Sequence, residues 1–181
     1  MKNQLLPAVP CHIPELNIHC FGCCGNSFSS KKEILKDILL NTEELTSEGT
    51  NKDLSQTDLI KFRDRFDGDN ALSENGLCYN LVELDSTGSG CFGCPLHNMV
   101  DKILPIDSDI KIDVKEDLRV GHCDINEECQ TFSAWKNMAE FEKKEFILFV
   151  KKFEFDSYTY SVENGAERLF GLFKKFKSSK N

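Results

Sequence analysis

Apolar positions recur at helical spacing in four stretches of this chain. Ser30 and Glu33 form an S-x-x-E capping box, and Ile34, Leu35, Ile38 and Leu39 follow on one face. Ser55 and Asp58 open a second helix, with Leu59, Phe62 and Phe66 aligned. Residues 131–155 read as helical: Trp135, Met138 and Phe141 begin a stripe that Phe146, Phe149, Val150 and Phe153 continue. A turn at Asn164-Gly165 then leads into a helix over 166–177 carrying Leu169, Leu172, Phe173 and Phe176. Alternation marks strands instead at Ile110, Ile112 and Val114, and again at Tyr158, Tyr160 and Val162. Residues 78–84 read as a short strand and 85–90 as a turn of Asp, Ser, Thr and Gly.

Between these elements the pattern fades. Residues 1–30 hold prolines and cysteines and read as irregular, 41–57 as a mobile loop or linker, and 67–76 as a polar loop. The Asp-Gly-Asp-Asn within that last loop lacks the terminal glutamate of a calcium loop. The expected fold is α+β: one mainly helical domain over 1–181, with a small antiparallel sheet and an irregular, cysteine-rich, metal-binding face.

Size and charge narrow the functional classes. A chain of 181 residues buries about 70% of its unfolded surface, so metal is not needed merely to fold it. The net charge of −8 argues against general nucleic-acid binding, which needs basic patches to displace counterions. One basic amphipathic segment, 167–180, could meet a partner or an anionic surface, though covering its own core is the commoner use. The 14 phenylalanines are expected to build that core rather than stack on bases. No transmembrane run and no export signal are readable, so the chain is expected to be cytoplasmic.

In a reducing cytosol, nine cysteines point to metal or redox chemistry rather than disulfides. Cys-Phe-Gly-Cys occurs twice, at Cys20 to Cys23 and at Cys91 to Cys94. Two thiols three apart on a tight turn can grip one ion, and a structural zinc uses two such pairs from separate places. Cys20, Cys23, Cys91 and Cys94 are therefore the first candidate ligands of a shared metal centre, followed by Cys24, Cys78, Cys123 and His97. Isolated Cys11 and Cys129 are as readily core fillers as ligands, and His12 and His122 as readily surface histidines. Zinc and an iron-sulfur cluster both fit, the histidines favouring the first and the density of cysteine the second.

The order of Cys20-Phe-Gly-Cys23-Cys24-Gly25, a helix, Gly76-Leu77-Cys78-Tyr79-Asn80-Leu81, and Cys91 and Cys94 beside Pro95 resembles the zinc- or iron-chelating family with a C-x-x-C-x-x-C-C signature. The resemblance spans roughly residues 11–129 and implies metal chelation without implying a reaction. Asn17 stands where that signature has its first cysteine, and its arginine-proline and cysteine-arginine pairs are missing. Cys11, His12 or His19 could substitute. Two other functions stay open: a thiol or iron-sulfur redox protein that carries electrons or exchanges disulfides, and an interaction module stiffened by zinc that meets a protein partner.

Overall fold

The computed structural model describes residues 6–48, 53–66, 71–85, 88, 90–98, 100, 104, 108–112, 114–126 and 128–179. In chain order the elements are β1 (His12–Ile13), a 3-10 turn (Pro14–Leu16), β2 (Ile18–His19), α1 (Lys31–Glu48), β3 (Asp53–Leu54), α2 (Gln56–Arg63), β4 (Val82–Glu83), β5 (Phe92–Gly93), β6 (Lys111–Ile112), α3 (Gln130–Asn137), α4 (Glu140–Lys152), α5 (Ser157–Gly165) and α6 (Leu169–Ser178). The fold is α+β and mainly helical, as the periodicity predicts. Among the described residues the strands form three two-stranded sheets, two antiparallel and one, β3 with β6, parallel. The chain divides into two compact units, Met1–Cys23 with Glu128–Asn181, and Cys24–Glu127.

The first unit is an aromatic helical bundle closed by the chain's beginning. Trp135, Phe146, Phe149, Tyr160, Phe173 and Phe176 form its core with Ile13 and Ile18 of the β1–β2 hairpin. Phe146 meets Trp135 and Phe173 edge-on. Each fully buried aromatic of this kind is worth about 1.5–3 kcal/mol over its exposed state. The expected single helix over 131–155 is two helices. Met138 turns extended at ψ 137, and Glu142 reaches back to the Ala139 N–H at 3.1 Å, starting α4 afresh. Phe141 and Phe153, expected on the buried stripe, are 64% and 52% exposed because the break and the helix end rotate them outward.

Residues 157–165 are helical although Tyr158, Tyr160 and Val162 alternate like a strand. Asp156 caps the helix by accepting from the Thr159 N–H at 2.7 Å. The buried face is Ser157, Tyr160, Ser161 and Asn164, a helical stripe written mostly in polar residues. Those groups are satisfied by the N-terminal segment. His19 and Phe21 donate their N–H groups to the Ser157 and Ser161 hydroxyls, and the Tyr160 hydroxyl donates to the Pro10 carbonyl. The expected turn at Asn164-Gly165 is the end of α5, and α6 starts at Leu169 rather than 166, burying Leu169, Phe173 and Phe176 of the predicted stripe.

The second unit has an aliphatic core: Leu45, Leu54, Leu59, Phe62, Val82, Leu84, Leu96, Val100, Ile110 and Leu118. Both predicted capping boxes are present, at Ser30–Glu33 and Ser55–Asp58. α1 does not stop where the polar run begins; it continues to Glu48, so residues 41–48 of the expected mobile loop are helix. Asn41 is buried and donates to the Leu81 carbonyl at 3.0 Å, while Leu45 is fully buried one turn on. The Thr42 hydroxyl accepts from the Glu83 N–H, tying α1 to β4. The expected strand over 78–84 shortens to β4, with Leu72 and Cys78 forming an isolated bridge, and the expected strand over 110–114 shortens to β6.

Candidate metal centre

Cysteine clusters form inside each unit. In the first, the β1–β2 hairpin pairs His12 with His19 and is extended by the Cys20 N–H donating to the Cys11 carbonyl at 2.8 Å, which sets these two cysteines side by side. Asn17 closes the hairpin in the left-handed conformation at φ 51. The Cys-Phe-Gly-Cys turn follows at once. Its Gly22 lies against α5: a Cβ there would stand 2.7 Å from the Ser161 carbonyl oxygen and 2.8 Å from the Gly165 nitrogen. The Gly22 N–H points at the Cys20 sulfur, 3.4 Å away.

Cys129 arrives from the other end of the chain as the N-cap of α3, its sulfur 3.4 Å from the Phe132 nitrogen. The buried Asn164 amide nitrogen lies 3.4 Å from the Cys20 sulfur and 3.4 Å from the Cys129 sulfur. Both sulfurs therefore stand within twice that distance of one another. Burial pushes the Cys20 thiol up to about 12, with the Cys23 and Cys129 sulfurs adding to the shift and the Gly22 N–H opposing it. Burial likewise raises Cys11 well above an ordinary thiol, followed by Cys20, Cys23 and Cys129. The Tyr160 hydroxyl is raised by burial and then by Cys20, Cys11 and Cys129. Cys11 and Cys20 are thus each raised, after burial, by the sulfurs of Cys23 and Cys129 among others.

In the second unit the Cys78 N–H donates to the Cys24 carbonyl at 2.7 Å, beside a bridge between Gly25 and Leu77. Gly25 is at φ 153 with the Gly76 carbonyl where a side chain would stand, so the two loops touch backbone to backbone. The Cys78 sulfur accepts from the Asn80 N–H at 3.4 Å, the same two-residue offset as Cys20 and Gly22. Burial raises the Cys94 thiol strongly; Cys78 and Cys123 raise it further, while the Leu96 N–H and the Arg119 guanidinium work against them. Arg119 is held by Asp117 at 2.6 Å. Amide-to-sulfur bonds at this offset stabilise the charged form of the sulfur, which is the form that binds a metal.

Cys91 departs from the ranking the motif suggests. It is 1% exposed, packed in the aliphatic core, and raised to about 12 by burial and then by the Asp85 and Glu83 carboxylates. The reason is pleat parity: β4–β5 pairing puts Val82 opposite Gly93 and Glu83 opposite Phe92, which turns Cys91 inward. Cys20 and Cys23 belong to the first unit, Cys91 and Cys94 to the second.

The histidines find other work. The His12 and His19 Nδ1 atoms are 3.1 Å apart, and burial lowers the His12 pKa against the opposing charge of Glu15. His97, lowered by burial and then by Arg119, keeps the company of Asp117. His122 Nε2 lies 3.3 Å from Asp64. None of the nine cysteines is in a disulfide. Among the described residues, no three His, Cys, Asp or Glu side chains are already arranged to hold a metal ion.

Cys11, Cys129 and Asn164 escape the ranking from sequence. A signal for Cys11 does exist: Cys11-His12-Ile13 and Ile18-His19-Cys20 mirror one another about Pro14 to Asn17, the pattern of a hairpin whose ends bring Cys11 and Cys20 together. Cys129 carries a weaker one, lying just ahead of the Trp135 stripe where a helix cap belongs. No family model, curated protein or solved structure matches the chain. The resemblance to the zinc- or iron-chelating family therefore rests on cysteine order alone. Among the described residues, no helix is long and apolar enough to cross a membrane.

Proposed function

We propose that this protein binds a thiophilic metal, zinc or the iron of an iron-sulfur cluster, through clustered cysteines, for a structural, storage or delivery role in a reducing compartment. The observation that supports the reading is the gathering of sulfurs from distant parts of the chain, with Cys20 and Cys129 sharing the Asn164 amide. Buried thiols this close resist ionising together, because each new thiolate meets low dielectric and like charge. A divalent cation reverses both penalties. Each thiol gives its proton to solvent as the sulfur binds, so uptake is coupled to proton release and to a closing of the side chains around the ion.

The dithiol-exchange alternative is less well supported. An attacking cysteine needs a depressed pKa, whereas Cys20 is pushed up to about 12. Metal analysis of the full chain purified without air, together with its visible spectrum, tests the reading. Zinc or iron in amounts comparable to protein is expected, coloured if iron-sulfur. Metal-free protein that also takes up neither zinc nor iron on reconstitution would refute it.

A further inference from the structure

We propose that the first unit carries a complete four-thiolate metal centre of its own, made by Cys11, Cys20, Cys23 and Cys129, with Asn164 as its positioning residue. It rests on the metal-binding reading above and specifies a site that the repeated motif does not imply, since Cys11 and Cys129 lie outside it.

The fold brings the four cysteines near one another without yet arranging three of them to hold an ion, so binding includes a closing of side chains. Cys11 and Cys20 are held abreast by the hairpin extension, with the Cys20 N–H 2.8 Å from the Cys11 carbonyl. Cys23 follows Cys20 by one tight turn, whose Gly22 lies where the α5 backbone occupies the space of any side chain. Cys129 is fixed by its place at the start of α3, where the helix's first N–H groups favour negative charge on its sulfur. Asn164, 4% exposed on α5, directs its amide nitrogen at Cys20 and Cys129 together. One donor between two sulfurs is the arrangement that orients metal ligands from outside the coordination sphere. The ligand class is therefore a tetrahedral thiophilic ion. Ser161 adds a hydroxyl near Cys20, and further N–H donors come from Gly22 and Phe132.

The competing explanation is that Cys129 only caps α3 and Cys11 only fills space. Serine is a good helix N-cap, so Cys129→Ser keeps the capping role and removes the thiolate. Cobalt(II) is titrated into the reduced, metal-stripped full chain, and sulfur-to-cobalt absorption is read together with alkylation of each cysteine by mass spectrometry. Cobalt is expected to protect Cys11, Cys20, Cys23 and Cys129 as one group, released together by chelator. Cys129→Ser should unprotect the other three while its thermal unfolding stays near that of the parent. Alkylation of Cys11 or Cys129 at an unchanged rate, while cobalt protects Cys20 and Cys23, would overturn the four-ligand centre and leave metal binding intact. Protection of none of the nine, with no absorption in the parent chain, would overturn both.

Discussion

The two units gather sulfur in different electrostatic surroundings. Around Cys20 and Cys129 the nearby donors are neutral, namely the Asn164 amide, the Ser161 hydroxyl and backbone N–H groups, beneath an aromatic core. Around Cys94 and Cys78 there are guanidinium groups: Arg119 is coupled to Cys94 and Cys123, and Arg65 to Cys78. Four thiolates on a divalent ion carry surplus negative charge, and these are two ways of meeting it. Preorganised neutral dipoles do so without mobile charge, and arginine does so with a full charge that salt can screen. Metal held in the second unit should therefore show the greater dependence on ionic strength.

The largest expected effect comes from alkali. Cys20 titrates at about 12 in the folded chain and near 8.5 when unfolded. Its stabilising contribution is thus full below the unfolded value and is lost as pH rises through that window toward the folded one. Metal-free protein should lose stability steeply above about pH 8.5, and metal should remove that loss by replacing the protons. Trp135, the one tryptophan, sits in the first unit's core and reports this by fluorescence. A flat alkaline profile would separate the Cys20 sulfur from the core.

Next in size, Phe146→Ala should cost about 3–5 kcal/mol in urea unfolding, against about 2–5 kcal/mol for Leu59→Ala in the aliphatic core. The aromatic core is the less forgiving because Phe146 meets both Trp135 and Phe173 edge-on. Asn164→Ala should then weaken cobalt binding at the first cluster about 10–100-fold and leave salt dependence unchanged. Arg119→Gln should act the other way, reducing the salt dependence of the second unit's metal. Equal salt slopes for the two units' metal in the parent chain, or an unchanged slope in Arg119→Gln, would erase the contrast between the units. The smallest effect is Ser55→Ala, about 1 kcal/mol from the lost cap of α2, read by the same urea titration.

Where an element was legible, the information lay within a few residues. Ser30 with Glu33 and Ser55 with Asp58 start helices because each box closes its own orphan N–H groups three residues away. The mirrored Cys-His-Ile and Ile-His-Cys arms could have been read the same way. Residues 41–48 and 157–165 misled because polar side chains occupy their buried faces. Asn41, Ser157, Ser161 and Asn164 are buried at helical spacing, and their partners lie far off in sequence, where a hydropathy pattern does not register them.

The cysteines divide along the same line. Spacing by itself determined that the chain is mainly helical and that helices start at the Ser30–Glu33 and Ser55–Asp58 boxes. Only the tertiary structure decided that Cys91 faces an aliphatic core while Cys20 and Cys129, over a hundred residues apart in numbering, share the Asn164 amide. A two-residue pairing register turns a side chain inward or outward, and packing of α3 and α5 on the first hairpin brings sulfurs together. Both are long-range choices, made by the burial of whole faces rather than by any residue's neighbours in the chain.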